Sequence, residues 1–190
     1  SGQKESEFLA ERLFAPLGIK RWWWEEDQAG HATGGFGLHL STPDLAKFGQ
    51  CLVDGGKWRG EQVIPMEWVA EATKLQVETK PFYPPEATED SNGYGYQFWM
   101  CRRGGFRCSG LFGQLCYVRP DDDLVIACSS STTGSKALLD PLYGVLFGEA
   151  EDRDAMADKL GVDQIPTPAG LAFGGSLSME RLAGFHLCVA

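Results

Sequence analysis

A serine attacks an acyl carbon only when a base stands within hydrogen-bond reach, and a lysine one helical turn away can be that base. The one Ser-x-x-Lys in the chain is Ser1-Gly2-Gln3-Lys4. It occupies the first four residues, with no strand or loop before it to hold it in place, and we reject it as a nucleophile–base pair. The three histidines, His31, His39 and His186, share no metal-ligand spacing, and no Gly-x-Ser-x-Gly elbow lies near them. Each reads as an incidental surface or core histidine. Ser129 to Ser131 stand at a strand end without an adjacent base. The acidic clusters Glu25-Glu26-Asp27 and Asp121 to Asp123 read as solvated turns rather than the paired carboxylates of a glycosidase. No P-loop or dinucleotide fingerprint is present, and no cofactor is implied.

Cysteine chemistry is the other candidate. Cys51, Cys101, Cys108, Cys116, Cys128 and Cys188 form no CxxC pair, which leaves a zinc ribbon or a thioredoxin-like site unsupported. A hairpin turning at Gly104-Gly105 would set Cys101 opposite Cys108. A second hairpin around Asp121-Asp122 would bring Cys116 near Cys128. Opposed thiols can form a disulfide or hold a metal; small buried thiols packing as hydrophobes is the plainer reading.

The elements that must position any such group follow from periodicity and breakers. The chain has 190 residues, 43% hydrophobic and 23% charged, with a formal net charge of −9. That balance argues against nucleic acid and anionic membrane as partners, since both demand basic surface. No apolar run approaches the ~20 residues of a membrane span, and SGQKESEF is too polar for a signal peptide. The chain therefore reads as soluble, with no compartment assigned. EFLAERLF is helical, with Leu9 and Leu13 on one face and Pro16 and Gly18 beyond its end. Three consecutive tryptophans, Trp22 to Trp24, cannot all face one core, so at least one is expected at the surface. A glycine-rich turn follows around Thr33, Gly34 and Gly35. Thr42 is placed to cap a helix that Pro43 and Asp44 begin, with Leu45, Phe48 and Leu52 inward and Gly55-Gly56 after it. A further helix opens at Pro65 and runs to about Lys74. Residues 76 to 92, rich in Pro, Glu, Thr and Asn, read as a long surface loop.

From Tyr94 the period becomes strand-like. Residues 94–100, 106–109, 114–119 and 124–130 are four candidate strands joined by short turns, hence an antiparallel meander. A helix starting at Asp140-Pro141 places Leu142, Val145 and Leu146 on one face. An antiparallel sheet flanked by helices is an α+β architecture. After Gly148 come a charged helix (EDRDAMADKLGV), a linker (IPTPAG) and SLSMERLAGFHLCVA, which ends on an apolar run. The organisation expected is a main unit over 1–148 and an appendage over 149–190.

Several of these pieces together resemble one family. Thr33-Gly34-Gly35-Phe36-Gly37-Leu38 followed by Ser41-Thr42-Pro43-Asp44-Leu45-Ala46-Lys47-Phe48-Gly49 resembles the second half of serine β-lactamase-like hydrolases. Gly56-Lys57-Trp58-Arg59-Gly60, Ile64, Glu67-Trp68, Tyr94-Gly95-Tyr96 and Ser109-Gly110-Leu111-Phe112-Gly113-Gln114 fit the same pattern. The group includes class C β-lactamases, D-alanyl-D-alanine carboxypeptidases, family VIII esterases and 6-aminohexanoate-dimer hydrolases. The resemblance implies the β-lactamase/transpeptidase-like fold and acyl transfer by a Ser-x-x-Lys pair and a Tyr-x-Asn-like group, neither of which lies in a plausible place here. It also implies that the family's Lys-Thr-Gly-like triplet falls on Cys108-Ser109-Gly110, the substrate-binding strand, and that the backbone N–H of Leu111 is the second oxyanion donor. Cysteine in place of the family's cation favours a neutral ester or amide over a carboxylate-bearing β-lactam.

The expectation is thus a segment of a serine hydrolase that supplies a cleft wall and is inactive alone. The alternative is a non-catalytic binding or regulatory module of the same fold. Because such a fold draws strands from both ends of its chain, one sheet edge or helix face is expected to be uncovered. Its partner would be a missing N-terminal segment or a second copy.

Overall fold

The structure is a computed structural model that describes residues 2–83, 89–130, 135–148 and 186–189. It opens with α1 (Glu5–Leu9), continued by a π-helical turn over Ala10–Phe14. Strands β1 (Trp22–Trp24) and β2 (Leu38–Leu40) form an antiparallel ribbon in which Trp23 faces His39. Trp23 is exposed and Trp22 and Trp24 are half-buried, as three neighbouring indoles on one strand require. Helix α2 (Thr42–Val53) follows directly. Its cap is Ser41 rather than Thr42: the Ser41 side chain accepts from the Asp44 N–H at 3.3 Å, and the Thr42 hydroxyl is occupied elsewhere. A small ribbon of β3 (Lys57–Trp58) and β4 (Glu61–Gln62) leads to α3 (Met66–Ala72), which begins after Pro65.

The main sheet contains β5 (Trp99–Met100), β6 (Phe106–Ser109), β7 (Leu115–Arg119) and β8 (Leu124–Ser129), paired antiparallel in chain order. This is the meander that the turns imply, although only the end of the 94–100 segment is strand. A fifth strand, β9 (His186–Val189), pairs antiparallel with β8. The edge of β8 is therefore covered by residues 186–189, and among the described residues the sheet's edge strands are β5 and β9. The charged helix and linker expected after Gly148 lie outside the described residues.

Alternation along β7 divides the core in two. Cys116 and Val118 face α2 and α3 and pack with Leu52, Val69, Phe98, Phe106 and Val125. Leu115 and Tyr117 face the opposite side and meet Ile126, Cys128 and residues Leu138, Leu139 and Tyr143 of α4 (Ser135–Phe147). Both faces of β7 and β8 are covered, so these strands read as near-continuous apolar runs. Helix α4 starts before Asp140-Pro141 and carries Pro141 inside it, contrary to the proline-based expectation. Burial of Leu138 and Leu139, each worth roughly 1.5–3 kcal/mol, outweighs the lost backbone bond at the proline.

The 76–92 loop is anchored at both ends. Val77 bridges Tyr94, and a 3-10 turn over Glu89–Asn92 buries Glu89 to 3% exposure. That carboxylate accepts the Arg102 backbone N–H at 3.0 Å, the Arg102 Nε at 3.0 Å and the Tyr143 hydroxyl at 2.9 Å. No described helix is long and apolar enough to cross a membrane.

Candidate functional site

The β6–β7 connection determines how Cys108, Ser109, Gly110 and Leu111 are presented. Gly110 and Gln114 close the hairpin, with the Gly110 N–H donating to the Gln114 carbonyl at 2.8 Å. Inside it the Gly113 N–H returns to the Gly110 carbonyl at 3.2 Å. Leu111 and Phe112 keep negative φ, while Gly113 sits at φ 88°. This is the three-residue hairpin pattern of a type I turn followed by a left-handed glycine. A side chain at Gly110 would press on Gln114, whose Cβ lies 3.0 Å from the position a Cβ at 110 would take. Glycine at 110 and 113 is thus a requirement of the local backbone.

Leu111 stands at the tip, 80% exposed, and its N–H has no hydrogen-bond partner among the described residues. Phe112 beside it is also exposed, and Ser109 is half-buried. The turn is tied to the end of the next strand, β8: the Ser130 hydroxyl donates to the Gly113 carbonyl at 2.8 Å. Its neighbour Ser129 meets the Thr42 hydroxyl at 2.9 Å, joining the end of β8 to the first turn of α2. One end of the sheet thereby collects the β6–β7 turn, two serines and the start of α2. The strand-end serines have no adjacent base; the contacts of Ser129 with Thr42 and of Ser130 with Gly113 depend on strand order, and Ser131 lies outside the described residues.

Cys108 lies on the α2-facing side of β6, partly buried against the core of Leu52, Phe106 and Cys116. Burial pushes its thiol up to about 12, and Cys116, directly opposite across the ladder, is raised well above its usual range for the same reason. Both are neutral near pH 7. The opposition expected of Cys101 with Cys108 does not occur. Cys101 closes its hairpin with Gly105 at 3.2 Å and joins the α4-side core, on the other face. Cys116 is likewise level with Ala127 rather than Cys128, and the two thiols face opposite sides. No cluster of three or more His, Cys, Asp or Glu side chains suited to a metal exists among the described residues.

The remaining titratable candidates sit elsewhere. His39 stacks on Trp23 at 4.1 Å and contacts Glu25 at 3.2 Å, on the exposed β1–β2 ribbon. His31 contacts Asp27 at 3.3 Å within a surface turn, where the backbone N–H of His31 is the main cause holding the Asp27 carboxyl below its ordinary value. Lys4 faces Glu26 at 3.8 Å, which gives the rejected Ser-x-x-Lys a structural use for its lysine.

Residues 1–147 match the β-lactamase family. The chain belongs to that family. Its fold is similar to that of a Bacillus anthracis protein described as a 6-aminohexanoate-dimer hydrolase, with 27% identity and a TM-score of 0.56. That match covers 67% of this chain and 32% of the other, so the present chain corresponds to about a third of that relative. No curated protein matches it. Helices packed on an antiparallel sheet are an α+β architecture, consistent with this family.

Proposed function

We propose that this β-lactamase-family chain supplies the strand-and-turn wall of the acyl-transfer cleft of a serine hydrolase acting on a neutral ester or amide. Leu111 donates its backbone N–H to the oxyanion, and Ser109 and Gly110 line the approach of the substrate. One observation carries the reading: among the described residues the Leu111 amide has no partner, on an exposed turn whose shape is held by its own hairpin bonds. A donor that is preorganised and free is what stabilises developing negative charge at an acyl oxygen. Cys108 supports the choice of substrate. It stands where β-lactamases carry a cation and packs into the α2-side core, so this position offers no charge to a substrate carboxylate.

The nucleophile and its base come from polypeptide other than these residues, a segment of the same hydrolase that carries Ser-x-x-Lys. The 190-residue chain incubated with nitrocefin or a nitrophenyl ester should show no burst, and turnover should appear only when a segment carrying Ser-x-x-Lys is supplied. A stoichiometric acyl adduct on the 190-residue chain, seen by intact mass, would overturn this. Failure of the reconstituted assembly to turn over any neutral ester, with Leu111's amide unperturbed by ligand, would favour the binding-module alternative.

A further inference from the structure

We infer that Ser130 is a positioning residue for the candidate oxyanion donor, acting through the Gly113 peptide; the inference rests on the role proposed for Leu111. An oxyanion donor has to be aimed before charge develops, with donor and oxygen about 2.7–3.1 Å apart in the reacting complex. The β6–β7 turn is closed at its base by the Gly110 N–H to Gln114 carbonyl bond at 2.8 Å, while its tip is held less closely. Its two tip side chains, Leu111 and Phe112, lie in the open. Its internal bond from Gly113 to Gly110 is 3.2 Å, at the long end for an N–H donor. Gly113, at φ 88°, has no Cβ to restrict rotation of the peptide that follows it.

A second reference, as short as the bond at the base, is external. Ser130 Oγ donates to the Gly113 carbonyl at 2.8 Å, reaching from the end of β8. The strand end from which it reaches is itself tied to α2 through Ser129 and Thr42 at 2.9 Å. The orientation of the Gly113 peptide, and with it the turn that carries the Leu111 N–H, is therefore registered against the sheet and α2. A serine that only satisfied an exposed carbonyl would leave the Leu111 amide indifferent to its loss. A positioning serine would not.

The test uses the 15N-labelled chain and the variants Ser130→Ala and Ser130→Thr. In Ser130→Ala, amide exchange at Gly110 and Gly113 should quicken roughly two- to tenfold, the effect of losing one ordinary hydrogen bond. Methylphosphonate, a tetrahedral oxyanion mimic, should shift the Leu111 amide in the wild type, with an apparent Kd raised roughly two- to tenfold in Ser130→Ala. Ser130→Thr keeps the hydroxyl and should restore both. If Ser130→Ala matches the wild type in exchange and in titration, the positioning role is wrong while the oxyanion reading stands. If Ser130→Thr behaves as Ser130→Ala, the hydroxyl is not the cause and the inference also fails. If methylphosphonate moves the Leu111 amide in no variant, the wild type included, the oxyanion reading falls and takes this inference with it.

Discussion

Leu111→Pro separates the backbone donor from everything else at the turn. Proline has no N–H, and the residue it would replace is the first central position of a type I turn, where φ near −65° is the favoured value. The Leu111 N–H has no partner among the described residues, so no intramolecular hydrogen bond is lost. The side chain is 80% exposed, so little apolar burial is lost either. Stability of the 190-residue chain should stay level or rise by up to about 1 kcal/mol, because a prolyl turn restricts the unfolded state. On the role proposed for Leu111, the same substitution in the assembled hydrolase should remove one oxyanion donor, worth about 10²–10³ in kcat, or ~2.7–4 kcal/mol. Leu111→Ala is the control: it keeps the N–H, removes the same exposed side chain, and should change stability by no more than about 0.5 kcal/mol. Thermal melts of the chain and steady-state hydrolysis of a neutral nitrophenyl ester by the assembly would read both quantities. A Leu111→Pro enzyme within about tenfold of Leu111→Ala, a difference under ~1.4 kcal/mol, would refute the role given to this amide.

Three further outcomes follow from the packing. Gly49→Ala on α2 would place a Cβ 2.5 Å from Val125 Cγ1 and 2.8 Å from Cys116 Sγ, and should cost about 1–3 kcal/mol in a denaturant titration. Glu89→Ala removes the acceptor shared by Arg102 and Tyr143 and should cost about 1.5–3 kcal/mol, with proteolysis of the 76–92 loop accelerated. Burial pushes Cys51 and Cys128 up to about 11, and Cys108 and Tyr117 up to about 12. Their unfolded counterparts ionise from about pH 8.5–10. Above that range the unfolded state holds fewer protons than the folded one, so stability should fall as pH rises from about 9 through 11–12. A urea midpoint that stays flat between pH 8 and 11 would contradict the burial of these groups.

Local chemistry in the sequence was enough for much of this architecture. Pro43 and Asp44 mark the start of α2 because a proline and an acidic residue suit only the first helical turn, and the structure moves the cap by just one residue, to Ser41. Short glycine and aspartate turns dictate neighbouring antiparallel strands, and the meander β5 to β8 follows. The Ser109 to Gln114 run carried both the family resemblance and the candidate site, because a Gly-x-x-Gly hairpin is a contiguous, self-contained backbone solution.

What required the tertiary structure is register and long-range partnership. A strand's side chains alternate with period two, so an odd shift in a hairpin sends a residue to the opposite face. The β5–β6 turn centres before Gly104-Gly105, and the β7–β8 turn sets Cys116 against Ala127. A two-residue turn at Gly104-Gly105 would have opposed Cys101 and Cys108, whereas the observed register sends them to different cores; the β7–β8 register is the one a turn centred on Asp121-Asp122 gives, and it leaves Cys128 one residue past the partner of Cys116, on the other face. Residues 186–189 join the sheet beside β8, and Ser130 reaches Gly113, through strand order alone; neither pairing has a local signature. Sequence by itself determined the starts of α2 and α3, the meander and the turn that bears Leu111, since each depends on residues adjacent along the chain. Only the folded sheet decided which thiols meet, what covers β8 and which hydroxyl steadies the turn, since those contacts join residues that backbone geometry brings together from distant positions.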